Sequence, residues 1–246
     1  MSLIKTPSFT LAIYSQGDPN ADKFALVVPG KLDTKDYAHM KSHVNFLSKL
    51  GYFAVSFDPP GTWESPGNIS LYNTTNTLKA VDEIITYFGN KPTFMMGHSR
   101  GAGITMIAAS KNPYITSYAA VMSPLGTGGF LENLDQNWEK NGYKISMRDL
   151  PPGSREETKE FRLPYSFYKD QLKYDLTDEI LKCAKPKLIT VGKNDPIVSP
   201  DRVRETYKLL AEPKVFYELD SDHDYRLNDK LIDKVNLQIK NFLEKF

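Results

Sequence analysis

The sequence predicts an α/β fold, a mostly parallel sheet with helices on both faces. Short apolar runs alternate along the chain with segments of helical periodicity. Those runs are apolar at nearly every position, the pattern of strands buried on both sides. The alternation stops between Leu125 and Lys185, a polar and aromatic stretch of about sixty residues, too long for a plain connection.

Taken in order, residues 8–14 and 24–28 read as strands. Residues 37–50 carry Met40, Val44 and Leu47 at helical spacing, and Gly51 ends that helix. Residues 53–57 form the next strand, stopped by Asp58-Pro59-Pro60-Gly61. A helix over 75–88 follows, with Leu78, Val81, Ile85 and Phe88 on one face and Asn73 or Thr74 as cap. Residues 93–96 are a strand and 100–110 a small-residue helix. Strands over 118–122 and 187–191, a helix over 201–210 capped by Ser199 or Asp201, and a strand over 215–219 complete the pattern. A helix over 229–246 closes the chain, facing the sheet with Leu231, Val235, Ile239 and Phe242.

A chain of 246 residues can bury a sizeable core without disulfides or metals. Its net charge of +1 gives no electrostatic case for nucleic acid or an anionic membrane as partner. No apolar stretch is long enough to span a bilayer, and the N-terminus lacks a signal-like apolar core. The single cysteine, Cys183, excludes an internal disulfide and suits a reducing compartment, read here as cytoplasmic. The expected partner is a small-molecule substrate; a homodimer stays open.

Gly97-His98-Ser99-Arg100-Gly101 carries the chemistry. It lies between a strand and a helix, where a nucleophile elbow must lie. Such a turn lifts Ser99 above the sheet, and its flanking positions must be glycine because other backbone passes too close for a Cβ. A strand-to-helix turn with a merely exposed serine would share the spacing. The context of strand before and helix after favours the nucleophile.

A serine nucleophile needs a base. His98 lies inside the elbow and packs under it. His39 and His43 share one helix face, a metal half-site without a third ligand. His223 remains, in the polar loop after the last strand, where an open α/β sheet carries function. The carboxylate to orient it is Asp195, in the turn after strand 187–191, with Asp220, Asp222 and Asp224 as rivals. An oxyanion hole would take the amide of Arg100 and that of Lys31, since Pro29 has no N–H and Gly30 supplies the turn. Gly30, His98 and Arg100 are also taken to line the substrate site; no residue is assigned to a metal.

Given these pieces, the chain resembles the α/β-hydrolase superfamily over nearly its whole length. Pro29-Gly30 resembles the family's oxyanion loop, and Asp58-Pro59-Pro60-Gly61-Thr62-Trp63-Glu64-Ser65 its aspartate–proline–glycine–serine loop. Residues 97–101 resemble its elbow, 192–195 its acid loop, and His223 its histidine. The resemblance implies the α/β-hydrolase fold, with an eight-stranded, mostly parallel sheet and a lid after the sixth strand. It implies no metal or organic cofactor. The core is then 1–124 with 186–246, and the lid is the insertion 125–185, expected to be mostly helical. Two departures stand out: Pro29-Gly30 replaces the glycine run of many esterases, and Arg100 follows the serine where a neutral residue is frequent. The Arg100 charge would favour an acidic substrate group or pair with Glu64. The aromatic residues of the insertion, Phe130, Trp138, Tyr143, Phe161, Tyr165, Phe167, Tyr168 and Tyr174, would line an apolar pocket or seat the lid.

The activity expected is ester hydrolysis, or that of a thioester or amide, through an acyl-enzyme. A peptidase or a hydrolase of carbon–carbon bonds using the same three residues is the alternative, and a binding protein on this fold the reading from another class.

Overall fold

The computed structural model describes residues 2–123, 136–153, 157–174 and 178–246. An eight-stranded sheet forms the centre, in the order β1-β2-β4-β3-β5-β6-β9-β10. Its strands are β1 (Ser2–Lys5), β2 (Thr10–Gln16), β3 (Phe24–Val28), β4 (Phe53–Phe57), β5 (Thr93–His98), β6 (Ile115–Val121), β9 (Lys187–Gly192) and β10 (Lys214–Leu219). From β4 to β10 every pairing is parallel; β2 runs antiparallel to both β1 and β4. Every residue of β3, β4, β5 and β9 is buried, as continuously apolar strands under helices must be.

Helices α1 (Ala38–Lys49), α2 (Thr74–Tyr87), α3 (Arg100–Lys111), α7 (Pro200–Leu209) and α8 (Asp229–Lys245) cover the two faces. One core packs Leu26, Val55, Met95, Ile104 and Ile189 with α2 and α3. The opposite core packs Val27, Phe94, Met96 and Leu188 with α1 and α8. The expected caps form: Asn73 accepts from the Asn76 amide, and Ser199 from that of Arg202. On α8 the buried stripe is Ile232, Val235, Ile239 and Phe242, so Ile232 takes the place expected for Leu231. Among the described residues no helix is long and apolar enough to cross a membrane.

Between β6 and β9 lie α4 (Gln136–Asn141), β7 (Tyr143–Asp149), β8 (Thr158–Pro164), α5 (Tyr165–Gln171) and α6 (Asp178–Leu181). The expectation of a mostly helical insertion misses the antiparallel pair β7–β8. Alternation does run through β7, but it turns Tyr143, Ile145 and Met147 to solvent and Lys144, Ser146 and Arg148 inward. Gly126, Thr127, Gly128, Gly129 and Phe130 lie outside the described residues.

Candidate active site

The elbow follows from sterics. Ser99 has φ 53° and ψ −119°, a conformation that strains an L-residue by about 1–3 kcal/mol. A Cβ on Gly97 would fall 2.2 Å from the Gly101 carbonyl oxygen, and one on Gly101 would fall 2.3 Å from that of Val28. Only glycine lets β3, β5 and the first turn of α3 approach this closely. The Ser99 amide donates to the Val121 carbonyl at 2.9 Å, tying the turn to β6.

Three loops at the C-terminal ends of strands then meet. His223 Nε2 lies 2.9 Å from Ser99 Oγ, and His223 Nδ1 lies 2.7 Å from Asp195 Oδ2. The second oxygen of Asp195 accepts the amides of Ile197 and Val198, each at 2.8 Å. This fixes the carboxylate, so the imidazole is held by a rigid partner. Asp195 and His223 are 6% and 7% exposed, so the pair acts in a medium of low dielectric. Among the rivals, Asp222 receives the Asp224 amide and Asp224 receives Arg226 Nε; the imidazole is bound by Asp195.

The loop after β3 carries Gly30 and Lys31. The amides of Lys31 and Arg100 make no hydrogen bond to the described residues, and Arg100 stands at the first position of α3, where no intrahelical acceptor exists. The loop is held in place around them. The Leu32 amide donates to Tyr72 Oη at 2.8 Å, and Trp63 Nε1 donates to the Leu32 carbonyl at 2.9 Å. Buried Asp58 accepts Thr34 Oγ1 and the Lys35 amide, and the ammonium of Lys35 sits among Asp36, Asp58 and Glu64.

His98 is not placed to contact substrate. It is 2% exposed, with Nδ1 3.4 Å from Asp33 and Nε2 3.3 Å from the His223 carbonyl, so both polar atoms face protein. It supports the backbone of the His223 loop from below. Gly30 serves packing as well, since a Cβ there would fall 2.5 Å from Asp33 Oδ2. Glu64 pairs with Lys35, not with Arg100. The Arg100 guanidinium lies 4.7 Å from the Tyr72 ring centroid and 5.1 Å from that of Phe167, and donates to Thr74 Oγ1 at 3.3 Å.

Asp33, Arg148, Asp149 and Arg226 were not singled out by sequence reading. Arg148 pairs with Asp33 in the loop after β3, and Arg226 grips Asp149 with contacts of 2.7 and 3.2 Å. Tyr37 Oη adds a 2.6 Å bond to the Asp149 carbonyl. The Arg148 guanidinium holds Asp33 well below the ordinary carboxylate range, against the opposing effect of its burial. Both pairs join residues far apart in sequence, and no local pattern marks them. The insertion's aromatic residues are seated by the same region: Trp138, Phe161 and Phe167 are buried with Leu32 and Tyr72.

Among the described residues, two groups of side chains have metal-like spacing. Asp36, Asp58 and Glu64 are filled by the Lys35 ammonium. Asp33, His39 and His98 are all buried, with Asp33 already bound by Arg148. His43 is committed to Asn236 at 2.7 Å and Tyr225 at 2.9 Å, so it forms no metal half-site with His39.

A family described as alpha/beta hydrolase fold matches residues 26–146. The mouse (Mus musculus) protein named palmitoyl-protein thioesterase ABHD10, mitochondrial, is 23% identical, with 83% of this chain and 69% of that protein covered. The structure of alpha/beta hydrolase domain-containing protein 10 from mouse aligns at a TM-score of 0.77 and 21% identity, covering 99% of this chain and 98% of that one. Est1E from Butyrivibrio proteoclasticus, solved with ferulic acid bound, aligns at 0.77 and 16% identity, covering 100% and 98%.

Proposed function

We propose that this chain, which has the α/β-hydrolase fold and this geometry on its sheet, is a serine hydrolase that cleaves carboxylic esters or thioesters through an acyl-enzyme. One observation carries the reading: Ser99 Oγ, His223 and Asp195 form an unbroken relay of 2.9 and 2.7 Å on a strained elbow. The similarity to a protein named as a palmitoyl-protein thioesterase and to Est1E supports an ester or thioester as substrate.

Ser99 Oγ attacks the carbonyl carbon while His223 Nε2 takes its proton. Asp195 holds the Nδ1–H tautomer and stabilises the imidazolium. The developing oxyanion is received by the amides of Lys31 and Arg100. The partial positive charge at the start of α3 acts in the same sense. His223 returns the proton to the leaving alcohol or thiol. Water, activated by His223, then frees the acid and restores Ser99. Residues 125–185 act as a lid, docked by the Arg148 and Asp149 ion pairs. The single, buried Cys183 suits a reducing compartment, the cytoplasm or, by the name of the mouse relative, a mitochondrion.

The test is hydrolysis of p-nitrophenyl esters and acyl thioesters by the wild type and by Ser99→Ala. Turnover that falls by about 10⁴-fold or more in the variant supports the reading; turnover that survives the substitution refutes it.

A further inference from the structure

We propose that this site takes substrates carrying an anionic group, a carboxylate or a phosphate, a few bonds from the scissile carbonyl, and that Lys31, Arg100 and Lys144 bind it. The proposal rests on the ester or thioester reading and names a substrate class within it.

Three cations from three elements converge on one aromatic wall. Tyr72, Phe167 and Trp138 stack in series, with centroids 5.3 and 6.3 Å apart and planes within 20°. Arg100, the residue after Ser99, lies against Tyr72 and Phe167. Lys31, on the oxyanion loop, places its ammonium 5.8 Å from both Phe167 and Trp138. Lys144, on β7, lies 5.8 Å from Trp138.

None of the three has a carboxylate within ion-pair distance among the described residues. Elsewhere this protein answers its enclosed cations. Lys35 has Asp36, Asp58 and Glu64, Arg148 has Asp33, and Arg226 has Asp149. Even fully buried Lys187 takes the carbonyls of Ala211 and Pro213. Arg100 is 5% exposed, yet its Nε has no partner. Ring faces stabilise a cation but leave its field in place. Among the described residues the charge is therefore uncompensated; it stands beside the serine, within a partly dry wall where it is weakly screened. Lys31 registers the crowding: the packing of its ammonium against the rings, then Lys144, Arg100 and Arg148, lower its pKa to about 8, although the residue keeps surface access. A substrate anion would supply the missing partner. A protein destined for neutral acyl chains has no need of three such charges at this wall.

Two substrate pairs test this and separate the two positions for the anion. For the acyl side, p-nitrophenyl hemiglutarate is compared with p-nitrophenyl pentanoate, its near-isostere. For the leaving side, S-butyryl-3-mercaptopropionate is compared with S-butyryl-3-mercaptopropionamide, its neutral near-isostere. In at least one pair kcat/KM favours the anionic member by about tenfold or more at low salt. That preference shrinks as salt is added and collapses to within about twofold in Lys31→Met and in Lys144→Met, both on accessible positions. Equal kcat/KM within both pairs, or preference for the neutral members, overturns the proposal while leaving the hydrolase reading intact. Calorimetric titration with glutarate decides the matter without turnover: binding weakened about fivefold or more in Lys31→Met supports the site, and no binding to the wild type at millimolar concentration refutes it. Labelling of Ser99 by a fluorophosphonate reports separately on the hydrolase reading.

Discussion

At the scale of single residues, Ser99 is held above the sheet because Gly97 and Gly101 carry no side chain. A methyl at Gly97 would collide with the Gly101–Ala102 peptide, so Gly97→Ala lowers both stability and activity; an unchanged melting temperature in that variant would contradict the packing argument. Asp195→Asn keeps the shape of the acid loop but offers the imidazole the wrong partner. A loss of about 10⁴-fold in kcat follows, and a loss under tenfold would show that Asp195 does not orient His223. The three residues of the relay were legible because each follows a strand closed by turn residues, β5 and β9 being wholly buried and β10 only at Leu219. The contact of His98 with the His223 carbonyl was not, since it spans 125 residues. The charge on Lys31 makes a further prediction. It is faced by Arg100 from α3, by Lys144 and Arg148 from β7, and by the uncharged rings of Trp138 and Phe167. Its lowered pKa means that it is cationic below about 8 and neutral above. The ratio of anionic to neutral ester turnover therefore declines as pH rises through that value. A ratio flat from pH 7 to pH 9.5 would remove Lys31 from the anion site.

At the scale of elements, β3 and β4 coincide with the strands expected from the sequence, because unbroken apolar runs between turn residues admit one reading. The edge strand β1 was not legible: only Ile4 of its four residues is buried. The pair β7–β8 was hidden for a different reason. Its apolar residues Tyr143, Ile145 and Met147 face solvent, while Arg148 and Asp149, at the end of β7, reach the core through ion pairs. Asp149 is the firmer anchor, since Arg226 is 4% exposed and has no water to fall back on. Asp149→Ala takes away the two-contact partner and leaves that guanidinium with Asp224 alone, at a cost of about 2 kcal/mol, lowering the melting temperature by roughly 4–8 °C. Replacing both partners, Asp149→Leu with Arg226→Met, recovers most of the loss. Thermal unfolding of the two variants checks this; equal melting temperatures in Asp149→Ala and wild type would show that the hairpin is held by its aromatic contacts alone.

At the scale of the whole molecule, two apolar cores grip the sheet, and the one under α1 and α8 encloses histidines. Burial lowers the pKa of His43 to about 4, and lowers those of His39 and His98 in the same direction. The unfolded chain then binds protons that the folded one refuses. The stability at stake is present above the unfolded value near 6.5 and is lost as pH falls toward about 4. For His43 alone the loss is about 3 kcal/mol. The urea midpoint accordingly drops between pH 7 and pH 4.5, and less steeply in His43→Gln; an identical drop in that variant would assign the effect elsewhere. The central claim, that Ser99 is an activated nucleophile, is tested most directly by treating the folded protein with a fluorophosphonate and mapping the adduct by mass spectrometry. The account predicts one adduct, on the peptide containing Ser99, absent from Ser99→Ala. An adduct on another residue, or none on the folded wild type, would contradict it.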